Sequence, residues 1–455
     1  MTLKKLTISG FRGYSSRQTI PFAIPNGKEG SGISIIVGAN NSGKSTIIEA
    51  LRAYNGSTSP SFGTSARYKG TSLVKIEYHK SNGVDVLESI RKGSSETRRS
   101  KSGDPLRIFT TPSRRQFASY FYKSFQDRDE YIKSDSLPTT RTSSLSNNFT
   151  ARLFNIEKDP NDFNEVLGEI LGHIPDWSID LGEQGQHFLK FNTSNHFHSS
   201  EGLGEGIVSL FVIADALYDS QKGDVIVIDE PELSLHPAFQ RRLMNVFKKF
   251  GQDRQIIIAT HSVYFADPQA ISNGASLIRV RKINGKPTVW SLKEKTRKAF
   301  TSIAIGDKNN PHVFGLDARE IFFLEDNIIL FEGQEDVIRF PYVEEKVGIN
   351  LQGNVFGWGT GGAEKIEKIC AVLTDLGYEK VCGILDGDKS QLKPPLDSAY
   401  PKYSFLILPA DDIRDKGAIK KPAKKGLVNK NGVLDPKLIQ KTQDLINKVN
   451  AYLTS

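Results

Sequence analysis

Three short runs carry side chains whose types and order suit work on a phosphate anhydride. The first is Gly38-Ala39-Asn40-Asn41-Ser42-Gly43-Lys44-Ser45, followed by Thr46. Its Gly-x4-Gly-Lys-Ser spacing lets backbone N–H groups curl around phosphates without Cβ clashes, and a following helix would point its N-terminus at the same charge. Gly38, Asn40, Asn41, Ser42, Gly43, Lys44, Ser45 and Thr46 are therefore expected to cradle a nucleotide, with Lys44 neutralising the outer phosphates and Ser45 ligating Mg2+. The second run is Asp229-Glu230-Pro231-Glu232. Asp229 is expected to bind the Mg2+ hydration shell, and Glu230 to polarise the attacking water. The third is Thr260-His261-Ser262, where His261 is placed to sense the γ-phosphate. Plainer readings exist for each: a fortuitous glycine loop, an acidic pair capping the next helix, a capped loop histidine. The order of the three runs argues against them.

A second constellation is acidic. Phe331-Glu332-Gly333-Gln334-Glu335-Asp336 follows an apolar strand and opens a helix. Glu332 and Asp336, four apart, share a helix face if that helix begins early. Asp386-Gly387-Asp388 follows another apolar strand. Carboxylates at i and i+2 of an extended segment point the same way, and Gly387 leaves room for an ion or phosphate. Asp411-Asp412 marks a third acidic strand end. Carboxylates converging at one sheet edge repel unless a hard cation sits among them, and oxygen donors favour Mg2+ or Mn2+. Glu332, Asp336, Asp386, Asp388 and Asp412 are the expected metal ligands, with Glu332, Asp386 and Asp388 also catalytic. Solvated helix starts and loops are the alternative.

The elements needed to position these residues are legible in the apolar pattern. Ile33–Val37 is a short apolar run of the buried-strand kind, and 47–54 has helical spacing. Residues 225–228 and Gln255–Ala259 read as further buried strands with a helix at 238–250 between them. Such alternation implies a parallel sheet covered on both faces, an α/β fold. Residues 73–78 and 84–90 flank Ser81-Asn82-Gly83 and predict a β-hairpin. From 93 to 148 the chain is polar and rich in Ser, Thr and Arg, the start of an expected insertion over about 93–200. A composition change within 279–310 separates a first domain (1–290) and a linker (291–325) from a smaller α/β domain (326–430). Residues 431–455 predict a C-terminal helix, opened by Asp435-Pro436 and carrying Leu438, Leu445, Val449 and Leu453.

Composition bounds the function. The chain has 455 residues, 38% hydrophobic and 25% charged, which suits a packed core and excludes a disordered chain. A net charge of +8 points to an anionic partner, nucleic acid first, or to ordinary solubility charge. Cys370 and Cys382, without a nearby His pair, make no zinc pattern and suit a reduced, cytoplasmic protein. No apolar stretch is long enough to span a bilayer, so no membrane partner is expected.

These runs resemble a known group. Residues 38–45, the stretch from Asp229 to His236-Pro237, Thr260-His261-Ser262 and the opening Ile8-Ser9-Gly10-Phe11-Arg12-Gly13 are similar to the AAA15/AAA21 branch of ABC ATPases, which have an ABC/SMC-like fold. The resemblance implies that ATP is the nucleotide and that Arg12 lies with its binding residues. Residues 199–206 sit where the ABC signature belongs, although they depart from its Leu-Ser-Gly-Gly spelling. Ser200 and Gly202 would then cap the γ-phosphate bound to another subunit, which implies a homodimer or tetramer. Gln116 is a candidate for the Q-loop. Glu332-Gly333 followed by Asp386-Gly387-Asp388 resembles a Toprim domain, and residues 317–323 and 357–362 resemble its form in the OLD (overcoming lysogenisation defect) family. An ABC ATPase followed by Toprim is the OLD arrangement. It implies an ATP-regulated, divalent-metal-dependent DNA endonuclease of prokaryotic anti-phage defence, with DNA as substrate and a helicase or retron component as a potential companion. Lys424 and Lys425 are candidates for a supporting basic residue. The chain is short after Asp412 for a full OLD nuclease domain, which leaves a second reading: an ATP-hydrolysing sensor or scaffold whose Toprim-like domain does not cut.

Overall fold

The computed structural model describes residues 1–56, 59–115, 120–134, 146–193, 196–199, 204–303, 310–418 and 422–455. They form two units, Met1–Ser291 and Leu292–Ser455.

In the first unit, strand β1 (Leu3–Ser9) pairs antiparallel with β2 (Gln18–Pro21). Strand β3 (Ile33–Val37) is buried at every position and leads through the glycine loop into helix α1 (Lys44–Arg52). The hairpin expected from the sequence is β4 (Lys75–Lys80) and β5 (Gly83–Ser89), joined at Ser81-Asn82. Strand β6 (Thr97–Ser100) extends this sheet to the order β2-β1-β4-β5-β6. Next come β7 (Ile108–Thr111), β8 (Tyr120–Phe121), α2 (Arg128–Ser134), α3 (Ser146–Lys158), α4 (Asn161–Leu171), β9 (Trp177–Leu181), β10 (His187–Thr193) and β11 (His196–Ser199). The unit closes with α5 (Glu205–Tyr218), β12 (Val225–Asp229), α6 (Pro237–Phe250), β13 (Gln255–Ala259), α7 (Pro268–Asn273), β14 (Ser276–Ile283) and β15 (Lys286–Ser291).

The central sheet has the order β15-β14-β3-β13-β12-β7, parallel apart from the edge strand β15. Its three middle strands are buried throughout, as a parallel sheet shielded on both faces requires. Buried Gln255 fastens the two sheets: its side-chain amide bonds the Leu3 N–H (2.6 Å) and the Leu3 and Ala23 carbonyls (both 2.8 Å). β6 and β7 each complete a sheet of the first unit; β6 is a polar, part-exposed edge strand, whereas β7, Ile-Phe-Thr-Thr, is buried at every position. Among the later elements, α3 is tied to α5 by the buried pair Arg152–Asp215 at 2.7 Å.

The second unit opens with α8 (Glu294–Ile303), α9 (Pro311–Phe314) and α10 (Leu316–Glu320). Most of the expected linker is thus helical, and α8 packs on α12 (Ala363–Asp375) within the same unit. Before α12 lie β16 (Ile328–Phe331), α11 (Gln334–Val347) and β17 (Asn354–Val355). After it come β18 (Val381–Leu385), a 3-10 turn (Gly387–Leu392), α13 (Lys393–Ala399), β19 (Ser404–Ile407), β20 (Asp412–Arg414), β21 (Gly426–Val428) and α14 (Ile439–Thr454). The order β17-β16-β18-β19 makes a wholly parallel sheet. The C-terminal helix is part of its core, because Leu445, Ile446, Val449 and Leu453 pack with Ile329 and Cys382. Cys370 and Cys382 are buried and free. Among the described residues, no helix is long and apolar enough to cross a membrane.

Candidate nucleotide site and acidic strand ends

After β3 the chain turns through Gly38 at φ 148°. A Cβ there would lie 2.1 Å from the Val280 carbonyl oxygen, so glycine is required. Gly43, at φ 118°, is the N-cap of α1 and has no side chain to occupy the helix end. The Thr46 N–H donates to the Gly43 carbonyl at 3.2 Å, and the uncapped N-terminus of α1 otherwise favours an anion. Lys44 Nζ folds into the loop, 2.8 Å from the Gly38 and 3.1 Å from the Ala39 carbonyl oxygens. Burial lowers its pKa to about 8, against the opposing pull of Asp229, Glu230 and Glu232.

Strand β12 delivers the acidic pair. Burial, followed by the neighbouring Glu230, raises the Asp229 pKa to about 7, and the Ser45 hydroxyl bonds the same carboxylate. Asp229 Oδ1 and Ser42 Oγ are buried without a hydrogen-bond partner among the described residues. An orphaned carboxylate oxygen beside a serine hydroxyl fits Mg2+, a hard cation with oxygen ligands. Glu230 stands at φ 49°, and its N–H donates to the Ala259 carbonyl at 2.8 Å. Glu232 accepts from Thr260 Oγ1 (2.8 Å) and from the His261 N–H (2.6 Å), which sets the third run beside the second. Burial and then Lys44 lower the His261 pKa, so its imidazole is neutral at neutral pH. Arg115, in the loop after β7, donates to Ser209 Oγ and to the carbonyls of Asp229 and Glu230.

In the second unit, Glu332 follows β16, and its Oε1 accepts the Asp386 N–H at 2.8 Å, bridging two parallel strand ends. The glycine-rich turn before α12 closes on the same residue, since the Gly362 N–H donates to the Glu332 carbonyl at 2.8 Å. Asp386 is raised to about 8 by burial, then by Asp336, Glu332 and Asp412. Burial raises Glu332 to about 7, with Asp336 and Asp388 adding to it. Asp336 is raised to about 6 by burial, with Asp412 adding to it. Burial acts to raise Asp412 too, but bonds from Lys416 (2.6 Å) and Lys424 (3.2 Å) outweigh it and hold the carboxyl below its usual range. Lys424 also pairs with Asp388 at 2.7 Å. The donor chemistry suits a hard cation, which would have to displace lysine from two of the carboxylates. Two lysines cover Asp388 and Asp412, and among the described residues no three His, Cys, Asp or Glu side chains are grouped to hold a metal ion.

Residues 33–267, a little over half the chain, match the AAA_21 family, described as "AAA domain, putative AbiEii toxin, Type IV TA system". The chain belongs to the AAA_21 family. It is an ATPase of the AAA/ABC type. No curated protein matches it. Solved structures similar to it include a SmcHead bound to the C-winged helix domain of ScpA, 17% identical with a TM-score of 0.43, covering 66% of this chain and all of that one. The SMC head domain from Thermotoga maritima is 18% identical with a TM-score of 0.38, covering 64% of this chain and all of that one. The Smc head domain with an extended coiled coil bound to the C-terminal domain of ScpA, from Pyrococcus furiosus, is 15% identical with a TM-score of 0.45, covering 66% and 99%.

The structure of this AAA_21 protein brings Lys44, Ser45, Asp229, Glu230 and His261 together around the loop 38–45. Arg12 ion-pairs with Glu49 of α1. Ser200, Gly202 and Gln116 lie outside the described residues. Glu332 and Asp336 do not share a helix face, because α11 starts only at Gln334 and Asp336 turns back to accept the Gly333 N–H at 2.9 Å. Asp386 and Asp388 do not alternate along an extended segment, since the 3-10 turn begins at Gly387. Lys424 does reach the acidic cluster, whereas Lys425 pairs with Asp435. Sequence reasoning missed Arg115 and Lys416. Arg115 stands in the polar Arg-rich stretch, and its partners lie roughly a hundred residues away, so spacing gives no signal. Lys416, four residues after Asp412, lies just past strand β20, where helical i,i+4 spacing gives no signal.

Proposed function

We propose that this AAA_21 ATPase is an ATP-regulated, divalent-metal-dependent DNA endonuclease, whose second unit is a Toprim-like cutting domain. In the first unit, Lys44 and the backbone of 38–45 bind the phosphates, Glu230 takes the proton of the attacking water, and neutral His261 donates to the γ-phosphate. Mg2+ held by Ser45 and Asp229 would neutralise charge on the β- and γ-phosphate oxygens. The observation that supports cutting is the set of carboxylates on the strand ends after β16 and β18, where burial and mutual repulsion push Glu332 to about 7 and Asp386 to about 8. Such a cluster is costly for the fold and suits a functional site. Strand ends of a parallel sheet are also where α/β folds bind ligands. The proposed assembly is a homodimer or tetramer with DNA as substrate. The proposed setting is anti-phage defence, in line with the toxin–antitoxin wording of the family's description.

One observation favours a second reading. Lys424 sits on Asp388 and Asp412, a pairing that stabilises a metal-free, non-cutting domain, so the chain would act as an ATP-driven sensor or scaffold. Plasmid nicking in Mg2+ or Mn2+, with and without ATP, separates the two. Metal-dependent nicking by wild type that is lost in Asp386→Ala supports the nuclease. Wild type that cuts neither DNA nor RNA under any of these conditions leaves the scaffold reading.

A further inference from the structure

We infer that Arg115 is a positioning residue for ATP hydrolysis, holding Glu230 in its working conformation by clamping the peptide units on both sides of it. The inference rests on the assignment of Glu230 as the base. Glu230 has φ 49°, a left-handed conformation that a non-glycine residue keeps only when its surroundings impose it. Three contacts impose it. The Glu230 N–H is held by the Ala259 carbonyl of β13 at 2.8 Å. The carbonyl at the other end of that peptide, that of Asp229, accepts from Arg115 Nη2, and so does the Glu230 carbonyl at 3.1 Å. The guanidinium is itself fixed, with Nη1 donating to Ser209 Oγ of α5 at 2.6 Å and the residue only 5% exposed.

A buried guanidinium is costly to desolvate, and here its hydrogen bonds go to backbone carbonyls and a hydroxyl. That arrangement serves backbone placement. Lysine has one point-like donor group and cannot span the fork. Because Arg115 and Ser209 also line a cavity of about 200 Å3 with Ser113, Arg114, Glu205 and Ser234, a small ion can reach the position of the guanidinium head.

The test uses full-length protein with separate readouts of ATP affinity and turnover. Arg115→Ala is expected to bind ATP within about threefold of wild type while kcat falls about 100-fold, because the base is misplaced and the phosphate loop is untouched. Millimolar guanidinium should restore at least part of the kcat of Arg115→Ala, while equimolar urea, of similar shape but uncharged, should not. Wild type and Glu230→Gln should gain nothing from guanidinium. Ser209→Ala, a milder variant that keeps the buried charge, is expected to lower kcat about threefold to tenfold without changing KM, and it keeps the inference testable should Arg115→Ala not fold. A folded Arg115→Ala with wild-type kcat, beside an inactive Glu230→Gln, overturns the positioning role alone. Loss of affinity in step with kcat and without rescue also overturns it. Wild-type turnover in Glu230→Gln instead overturns the base assignment beneath it.

Discussion

Lys424 Nζ lies 2.7 Å from Asp388 Oδ2, and the same ammonium reaches Asp412 at 3.2 Å. One lysine thus neutralises two of the carboxylates that a metal at these strand ends would need. Burial acts to lower the Lys424 pKa, but the bonds to Asp388 and Asp412 win and raise it, so the lysine stays charged. A divalent cation must displace it. Lys424→Ala is therefore expected to tighten Mn2+ and Mg2+ binding about tenfold in nucleotide-free protein, read from metal-induced thermal shifts. An unchanged shift would mean that Lys424 does not compete for the site.

Asp386→Ala separates the two units. DNA nicking should vanish while ATP turnover stays within about twofold of wild type, since the substitution removes no group of the nucleotide site. Wild-type-like nicking by this variant refutes the catalytic assignment of the strand-end cluster.

The nucleotide site divides binding from chemistry. Lys44→Ala removes the charge inside the loop, and ATP affinity should drop about 100-fold while the fold survives. Glu230→Gln keeps the shape and removes the base, so ATP should still bind and turnover should fall about 100-fold to 1,000-fold. Undiminished hydrolysis in purified Lys44→Ala would remove the loop 38–45 from the active site.

Stability should depend on pH with a definite sign. The folded-state pKa of Asp386 is raised from 3.8 to about 8 and that of Glu332 from 4.5 to about 7. The folded state then holds more protons than the unfolded one across this range, so their contribution is fully present below about pH 4 and is lost as pH rises through about 8. In chelator, Asp386→Asn should therefore gain Tm relative to wild type as pH is raised from 5 to 8. Parallel Tm–pH curves for the two proteins would show that Asp386 is ionised at a normal pKa.

The parts of this protein legible in sequence are those that local rules determine. Gly38 and Gly43 need positive φ, and the glycine spacing alone states it. The strands β3, β12 and β13 are apolar at nearly every position because a doubly covered parallel sheet offers no polar face. The acidic strand ends were visible for the same reason, as charge abruptly following an apolar run. Edge strand β6 was not, because an edge tolerates polar sequence that reads as loop.

Tertiary structure decided what each charge does. Whether Asp388 follows Asp386 in extended backbone or turns at once into a 3-10 helix depends on packing, since Gly387 bonds the Ala410 carbonyl at 2.9 Å. Arg12 and Arg115 are both arginines in polar sequence, yet one pairs with Glu49 of α1 and the other grips the chain around Glu230. Sequence fixes the periodicity and the special backbone positions, because those are set within a few residues. The partners of a long, flexible cation are set by which distant strands the fold brings within reach of it, and no local pattern encodes that.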